Sequence, residues 1–158
     1  MRYIVFMLVV LTGGLLTTSP ALGQSDNAQL DAARAELQAG RDQIIKEDLQ
    51  LSEEELAAFW PIYEEYLAEL APIRERKASL INQFMAAYRG GEFTDDFAEF
   101  LIEENFAIKS DWAGVQKAYV ERFREVVPVQ TVARFLQLEN KLDAEVDAQL
   151  ALIVPLVE

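Results

Sequence analysis

The side chains with most to offer a binding partner are four aromatic residues, Trp60, Tyr63, Tyr66 and Trp112, and one basic run, Arg74-Glu75-Arg76-Lys77. Rings at such spacings share a helix face and serve either as core or as an apolar binding surface. The basic run has two roles open to it. It can pair with carboxylates of another helix, as surface charges commonly do. It can instead form a cationic patch suited to acidic or unfolded clients.

Against these stand the chemistries the composition removes. The chain has no His and no Cys, so a histidine base, a cysteine nucleophile and any His/Cys metal site are unavailable. The serines beyond the N-terminal segment, Ser25, Ser52, Ser79 and Ser110, lie outside any Gly-x-Ser-x-Gly turn. No phosphate loop or dinucleotide fingerprint is present. Carboxylate pairs such as Glu64-Glu65, Asp95-Asp96 and Glu103-Glu104 could supply a hydrolase pair or a calcium site. Acidic residues also collect at helix starts for electrostatic reasons alone, and no Asp-x-Asp-x-Asp-Gly loop accompanies them. The expectation is a protein that is not an enzyme and carries no cofactor or metal.

Apolar periodicity places these residues on four helices. The first follows the polar cap Ser25-Asp26-Asn27 and runs to about Glu47. The second opens with Leu51-Ser52-Glu53-Glu54-Glu55-Leu56, a capping box at Ser52 and Glu55 flanked by a hydrophobic staple. Its stripe continues Leu56, Phe59, Tyr63, Tyr66, Leu70, Ile73, Lys77, Leu80, Phe84, Tyr88 in steps of three and four. Gly90 is expected to end it in the left-handed conformation. The third begins at Thr94 and carries Phe97, Leu101, Ile108, Trp112, Val115, Tyr119, Phe123 and Val126, with a polar interruption near Glu104-Asn105. Pro128 separates it from the fourth, whose stripe is Val132, Phe135, Leu138, Leu142, Val146, Leu150 and Ile153, with Pro155 beyond.

Two prolines fall inside the second helix. Pro61 and Pro72 are 11 residues apart in the sequence, which brings them within about 20° of each other around the axis. A proline ring clashes with the carbonyl four residues back and opens the helix on its own side. The spacing therefore predicts a bow with the apolar stripe on its concave face. The candidate partner-binding groove on that face is Phe59, Tyr63, Tyr66, Leu70 and Ile73, with Arg74 and Lys77 beside it.

The N-terminus reads as a secretory signal. Arg2 precedes an apolar run from Tyr3 to Leu16, and Ala21-Leu22-Gly23 offers small residues at the positions a signal peptidase reads. The run is shorter than the ~20 residues of a spanning helix. The expected organisation is residues 1–23 as a cleaved signal and 24–158 as a single helical domain, with no membrane insertion after cleavage. The chain bears 27 acidic against 14 basic residues, a formal net charge of −13. That sign disfavours nucleic acid and anionic headgroups as partners.

The signal segment followed by Leu51-Ser52-Glu53-Glu54-Glu55 resembles the Spy/CpxP-like family of small periplasmic helical proteins, named for a Leu-Thr-x-x-Gln motif. Segments similar to Phe59-Trp60-Pro61-Ile62-Tyr63 and Val132-Ala133-Arg134-Phe135-Leu136-Gln137-Leu138-Glu139-Asn140-Lys141 occur in uncharacterised members of that family. The resemblance implies a periplasmic α-hairpin cradle, often a homodimer, acting as an envelope-stress chaperone or as a modulator of a membrane sensor. This chain departs from the pattern at Val127-Pro128-Val129-Gln130, where a second motif would stand, and lacks the metal-binding histidines of the sensor branch.

The expected fold is all-α: four helices with a long bowed second helix in an elongated α-hairpin or cradle. The expected function is that of an exported helical binding protein, envelope-stress adaptor or chaperone-like, engaging an unfolded client or an envelope sensor. A regulatory module docking on one sensor, or a purely structural envelope protein, are the alternatives. Cleavage after Gly23 predicts that intact-mass analysis of exported protein finds a chain beginning at Gln24; residues 1–23 still attached would refute it.

Overall fold

The computed structural model describes residues 38–157; the signal segment and the expected start of the first helix lie outside them. The chain divides into two units, Met1–Gly40 and Arg41–Glu158. Of the first unit, residues 38–40 are described, and they are helical. The second contains α1 (41–49), α2 (Glu53–Gly90), α3 (Asp95–Arg124) and α4 (Val129–Ile153). The fold is all-α, and no strand occurs among the described residues.

Local sequence explains where each helix begins. Ser52 is extended (φ −62°, ψ 163°) and its hydroxyl accepts from the Glu55 N–H at 3.2 Å. The Ser52 N–H donates back to the Glu55 carboxylate at 3.0 Å, closing the capping box. Glu53 and Glu54 add negative charge where the helix dipole is positive. Thr94 caps α3 in the same way, accepting from the Phe97 N–H at 3.2 Å. Pro128, which precedes α4, supplies a fixed φ and needs no donor there. At the far end of α2 the sequence reading is corrected by one residue. The helix includes Gly90, and Gly91 takes the left-handed conformation at φ 67°. Its N–H reaches the Ala87 and Tyr88 carbonyls, a contact a Cβ at that φ would make strained.

α2 continues through Pro61 and Pro72 without a break, and both prolines are exposed. At 38 residues it is about 57 Å long. Its opposite side is the centre of the protein. Phe59, Tyr63, Tyr66 and Leu70 are fully buried, joined by Ile73, by Tyr119 and Phe123 of α3, and by Val132 and Phe135 of α4. Phe135 lies edge-on to Phe59 and Tyr63 at centroid distances of 5.4 and 5.8 Å, and 4.8 Å from Phe123. A smaller ring cluster, Phe84, Tyr88, Phe93 and Phe97, closes the α2–α3 turn.

α1 lies antiparallel to α4. Arg41 bonds to Glu139 and Asp143, while seven residues on, Asp48 meets Arg134. Ile45 and Leu49 enter the core between them. No helix among the described residues is long and apolar enough to cross a membrane.

The capping box generates a test. Ser52→Ala removes an N-cap hydroxyl, and denaturant unfolding should find about 1 kcal/mol lost. Hydrogen bonds from the Ser52 backbone and hydroxyl hold the Glu55 carboxyl below its usual value of 4.5. A carboxyl depressed in the folded state stabilises above its unfolded value, and that stabilisation is lost as pH falls through the folded value. The variant should therefore lose less stability than the parent between neutral and acid pH.

Candidate functional site

The residues expected to form a groove are brought together, but as core. Phe59, Tyr63, Tyr66 and Leu70 have no exposure and Ile73 only 7%. The expected open concave groove is thus corrected: α3 and α4 fill it with Tyr119, Phe123, Val132 and Phe135. The physical reason is that α4 lays its own aromatic and aliphatic stripe against the α2–α3 hairpin, which leaves no apolar face of α2 open at that level. Trp60 and Trp112 sit half-buried at the margin of the same core, with the Lys46 ammonium 3.8 Å over the Trp60 ring and the Arg74 guanidinium 5.4 Å from that of Trp112.

The basic run takes the pairing role. Lys77 bonds to Asp147 of α4. Arg76 bridges Glu104 and Asp111 of α3, with its Nε 2.9 Å from the Glu104 carboxylate. The polar interruption seen in the α3 sequence at Glu104 is therefore an inter-helix ion pair. Arg74 turns inward, and its Nη2 is buried without a hydrogen-bond partner.

Sequence reasoning missed the most buried charge of all. Glu139 has no exposure, although it lies on a helix otherwise packed through Val132 and Phe135. Seven residues after Val132, it falls within about 20° of that residue around the axis, so the signal was a lone carboxylate in the middle of the α4 stripe. Its Oε1 accepts from Arg41 Nε at 3.1 Å, and Arg41 Nη2 donates to Asp143 at 2.7 Å. Burial works against the Arg41 charge, but the two carboxylates outweigh it and raise its pKa. Four buried polar atoms lack a partner: Glu139 Oε2, the Tyr66 hydroxyl, Arg74 Nη2 and Gln116 Nε2, and Glu139, Arg74 and Gln116 all lie close enough to act on the Tyr66 phenol. Gln116 lies near the Tyr66 hydroxyl without hydrogen-bond geometry. Burial, followed by the negative charge of Glu139, pushes the Tyr66 phenol well above its usual value. This polar layer draws on α1, α2, α3 and α4, and it can hold the four helices in one register.

A second feature lies at the far end of the hairpin. A groove of about 280 Å³ is lined by Leu80, Ile81, Phe84, Leu101, Ile102, Asn105 and Val154. Of its lining, Ile102 is 57% exposed, and Phe106, one helical turn further along α3, and Ile153 and Leu156, near Val154 in the chain, are exposed by 65, 68 and 88%. Leu80 and Phe84 belong to the α2 stripe read from sequence, whereas Ile102 and Val154 were not singled out. The groove is apolar, carries Asn105 as its one polar lining residue, and holds no set of acid, base and nucleophile. No cluster of metal-binding side chains occurs among the described residues.

The chain matches no protein-family model, and no curated protein or solved structure aligns with it significantly.

The polar layer can be tested through its ion pair. Arg41→Ala strands a fully buried carboxylate and should destabilise the fold by about 3–5 kcal/mol. The double change Arg41→Met/Glu139→Leu removes both charges and should restore most of that loss. Urea unfolding of the three proteins checks both outcomes.

Proposed function

We propose that this chain is an exported, non-enzymatic helical binding protein of the cell envelope, acting as a stress adaptor through one localised docking surface. The observation that carries the reading is the apolar groove at the hairpin end, with Ile102 of its lining exposed and the apolar neighbours in sequence Phe106, Ile153 and Leu156 exposed as well. Most of the α2 stripe, by contrast, is spent on the core, and among the described residues nothing covers Ile102. Large apolar side chains gathered on one exposed surface mark interaction sites.

Further support comes from the sequence. The N-terminal pattern is that of an export signal, and the absence of His and Cys removes the commonest catalytic groups. The resemblance to the Spy/CpxP-like family points to the same compartment and to protein partners. A broad chaperone cradle would need the α2 stripe open, and that stripe is filled. One compact groove suits one defined partner better than many unfolded ones. This favours the adaptor, and the related reading of a module docking on a membrane sensor, over general chaperone activity.

The test is in-cell crosslinking of the exported chain followed by affinity capture, run beside an aggregation-suppression assay. The adaptor reading expects one partner, captured saturably, and little protection of unrelated aggregating proteins. Stoichiometric protection of several unrelated substrates, with no discrete crosslink, would replace it with the chaperone reading. Retention of the chain in the cytoplasm would overturn both.

A further inference from the structure

We infer that the distal groove is the docking site for a cationic amphipathic helix of another protein. The inference deepens the binding-protein reading and rests on it. The first argument is what the groove accepts. Its walls are Leu80, Ile81, Phe84, Leu101, Ile102 and Val154, and a volume of about 280 Å³ lies at the lower edge of small-molecule pockets. That space takes a few aliphatic side chains spaced along a helix, the mode in which an amphipathic helix enters an apolar groove. The chain's own tail leaves it open. Val154 reaches the groove, yet Leu156 and Val157 beyond it are 88% and 57% exposed.

The second argument is charge. In the body of the bundle, cations of one helix meet acids of another: Arg41 with Glu139 and Asp143, Arg76 with Glu104 and Asp111, Lys77 with Asp147, Arg122 with Glu65 and Arg134 with Asp48. The hairpin end is different. Between residues 78 and 110 the bases are Arg89 and Lys109, the latter 5.9 Å over the Phe106 ring, against the six acids Glu92, Asp95, Asp96, Glu99, Glu103 and Glu104. Of these acids only Glu104 has an ion pair among the described residues. At 100° per residue, Asp95, Glu99, Ile102 and Phe106 fall within roughly 60° of one another on α3. An acidic and apolar strip therefore runs along the groove's edge. A partner that buries Ile102 brings its flanks to Asp95 and Glu99, where lysine or arginine is favoured and a carboxylate is repelled. The same sign opposes a second copy of this acidic chain, and it opposes nucleic acid.

The experiment uses the chain from Gln24 onward and a fluorescent helical peptide of leucine and lysine, with leucines on one face. A second peptide carries glutamate in place of every lysine. Saturable one-to-one binding of the lysine peptide is expected, falling with added salt, and none of the glutamate peptide. Ile102→Ser, at an exposed position that leaves the fold intact by circular dichroism, should weaken binding about tenfold. Glu99→Lys should weaken it several-fold and reduce the salt dependence. Equal binding of both peptides, or binding indifferent to these substitutions, would overturn the inference. So would sedimentation showing a dimer that Ile102→Ser dissociates, since a second copy would then be the occupant. The cellular crosslinking partner separates the two levels. If Ile102→Ser still captures it fully, the binding-protein reading stands and this assignment of its surface falls. If the peptide results hold but no cellular partner exists, the adaptor reading falls and the groove's chemistry stands.

Discussion

Phe135 is the contact on which the rest of the bundle depends. It is fully buried, and its ring meets Phe59, Tyr63 and Tyr66 of α2 and Phe123 of α3 at centroid distances between 4.8 and 5.8 Å. The rings of α2 and α3 also touch one another directly, Phe59 against Phe123 at 4.7 Å and Tyr66 against Tyr119 at 5.5 Å. Each edge-on or offset pair adds about 0.5–1.5 kcal/mol to the burial of the rings themselves. With no cysteine anywhere in the chain, no disulfide constrains the unfolded state, and packing of this kind must oppose its entropy. Large rings allow α4 to be held by side-chain tips, without close approach of its backbone to α2.

That packing leaves no polar information about register, because aromatic surfaces slide past one another at modest cost. Charged pairs supply it. Arg41 fixes α1 against α4 through Glu139 and Asp143, Arg134 fixes the same two helices one turn and more away through Asp48, and Arg76 ties α2 to α3. Most of these pairs are partly exposed, and each contributes little to stability. Glu139 is the exception: with its carboxylate wholly removed from water, losing Arg41 costs far more than the pair contributes. The unpartnered atoms around it, on Tyr66, Arg74 and Gln116, make the polar layer the most costly part of the core to disturb.

Charge is distributed unevenly along the molecule, and this gives its two ends different capacities. Where four helices meet, Arg41, Arg76, Lys77, Arg122 and Arg134 are taken up by inter-helix pairing. Towards the α2–α3 turn α4 comes to its end at Ile153, and apolar side chains such as Ile102 and Phe106 are exposed. The acids of α3 there, Glu104 apart, have no ion pair with a neighbouring helix among the described residues. An apolar groove with an acidic margin follows where α4 ends against the longer α2–α3 hairpin.

The sequence by itself determined the helices: the box at Ser52 and Glu55, the cap at Thr94 and the break at Pro128 are local chemistry, decided within a few residues of the backbone groups they satisfy. It also placed Phe59, Tyr63, Tyr66 and Leu70 on one face and both prolines on the other, because helical periodicity needs no partner. Whether Gly90 or Gly91 turns left-handed was a matter of one residue of extra helix, too small a difference for composition to resolve. What covers the α2 face was decided only by tertiary structure. A stripe of rings looks the same in sequence whether it lines an open groove or a filled core, since the difference lies in how far α4 reaches along it. The same holds for Glu139, an ordinary surface carboxylate until Arg41 meets it nearly a hundred residues away in sequence. Ile102 and Val154 likewise become one surface only where the end of α4 meets the hairpin. Local signals write the elements, and the way those elements cover one another decides which apolar side chains are buried and which stay exposed.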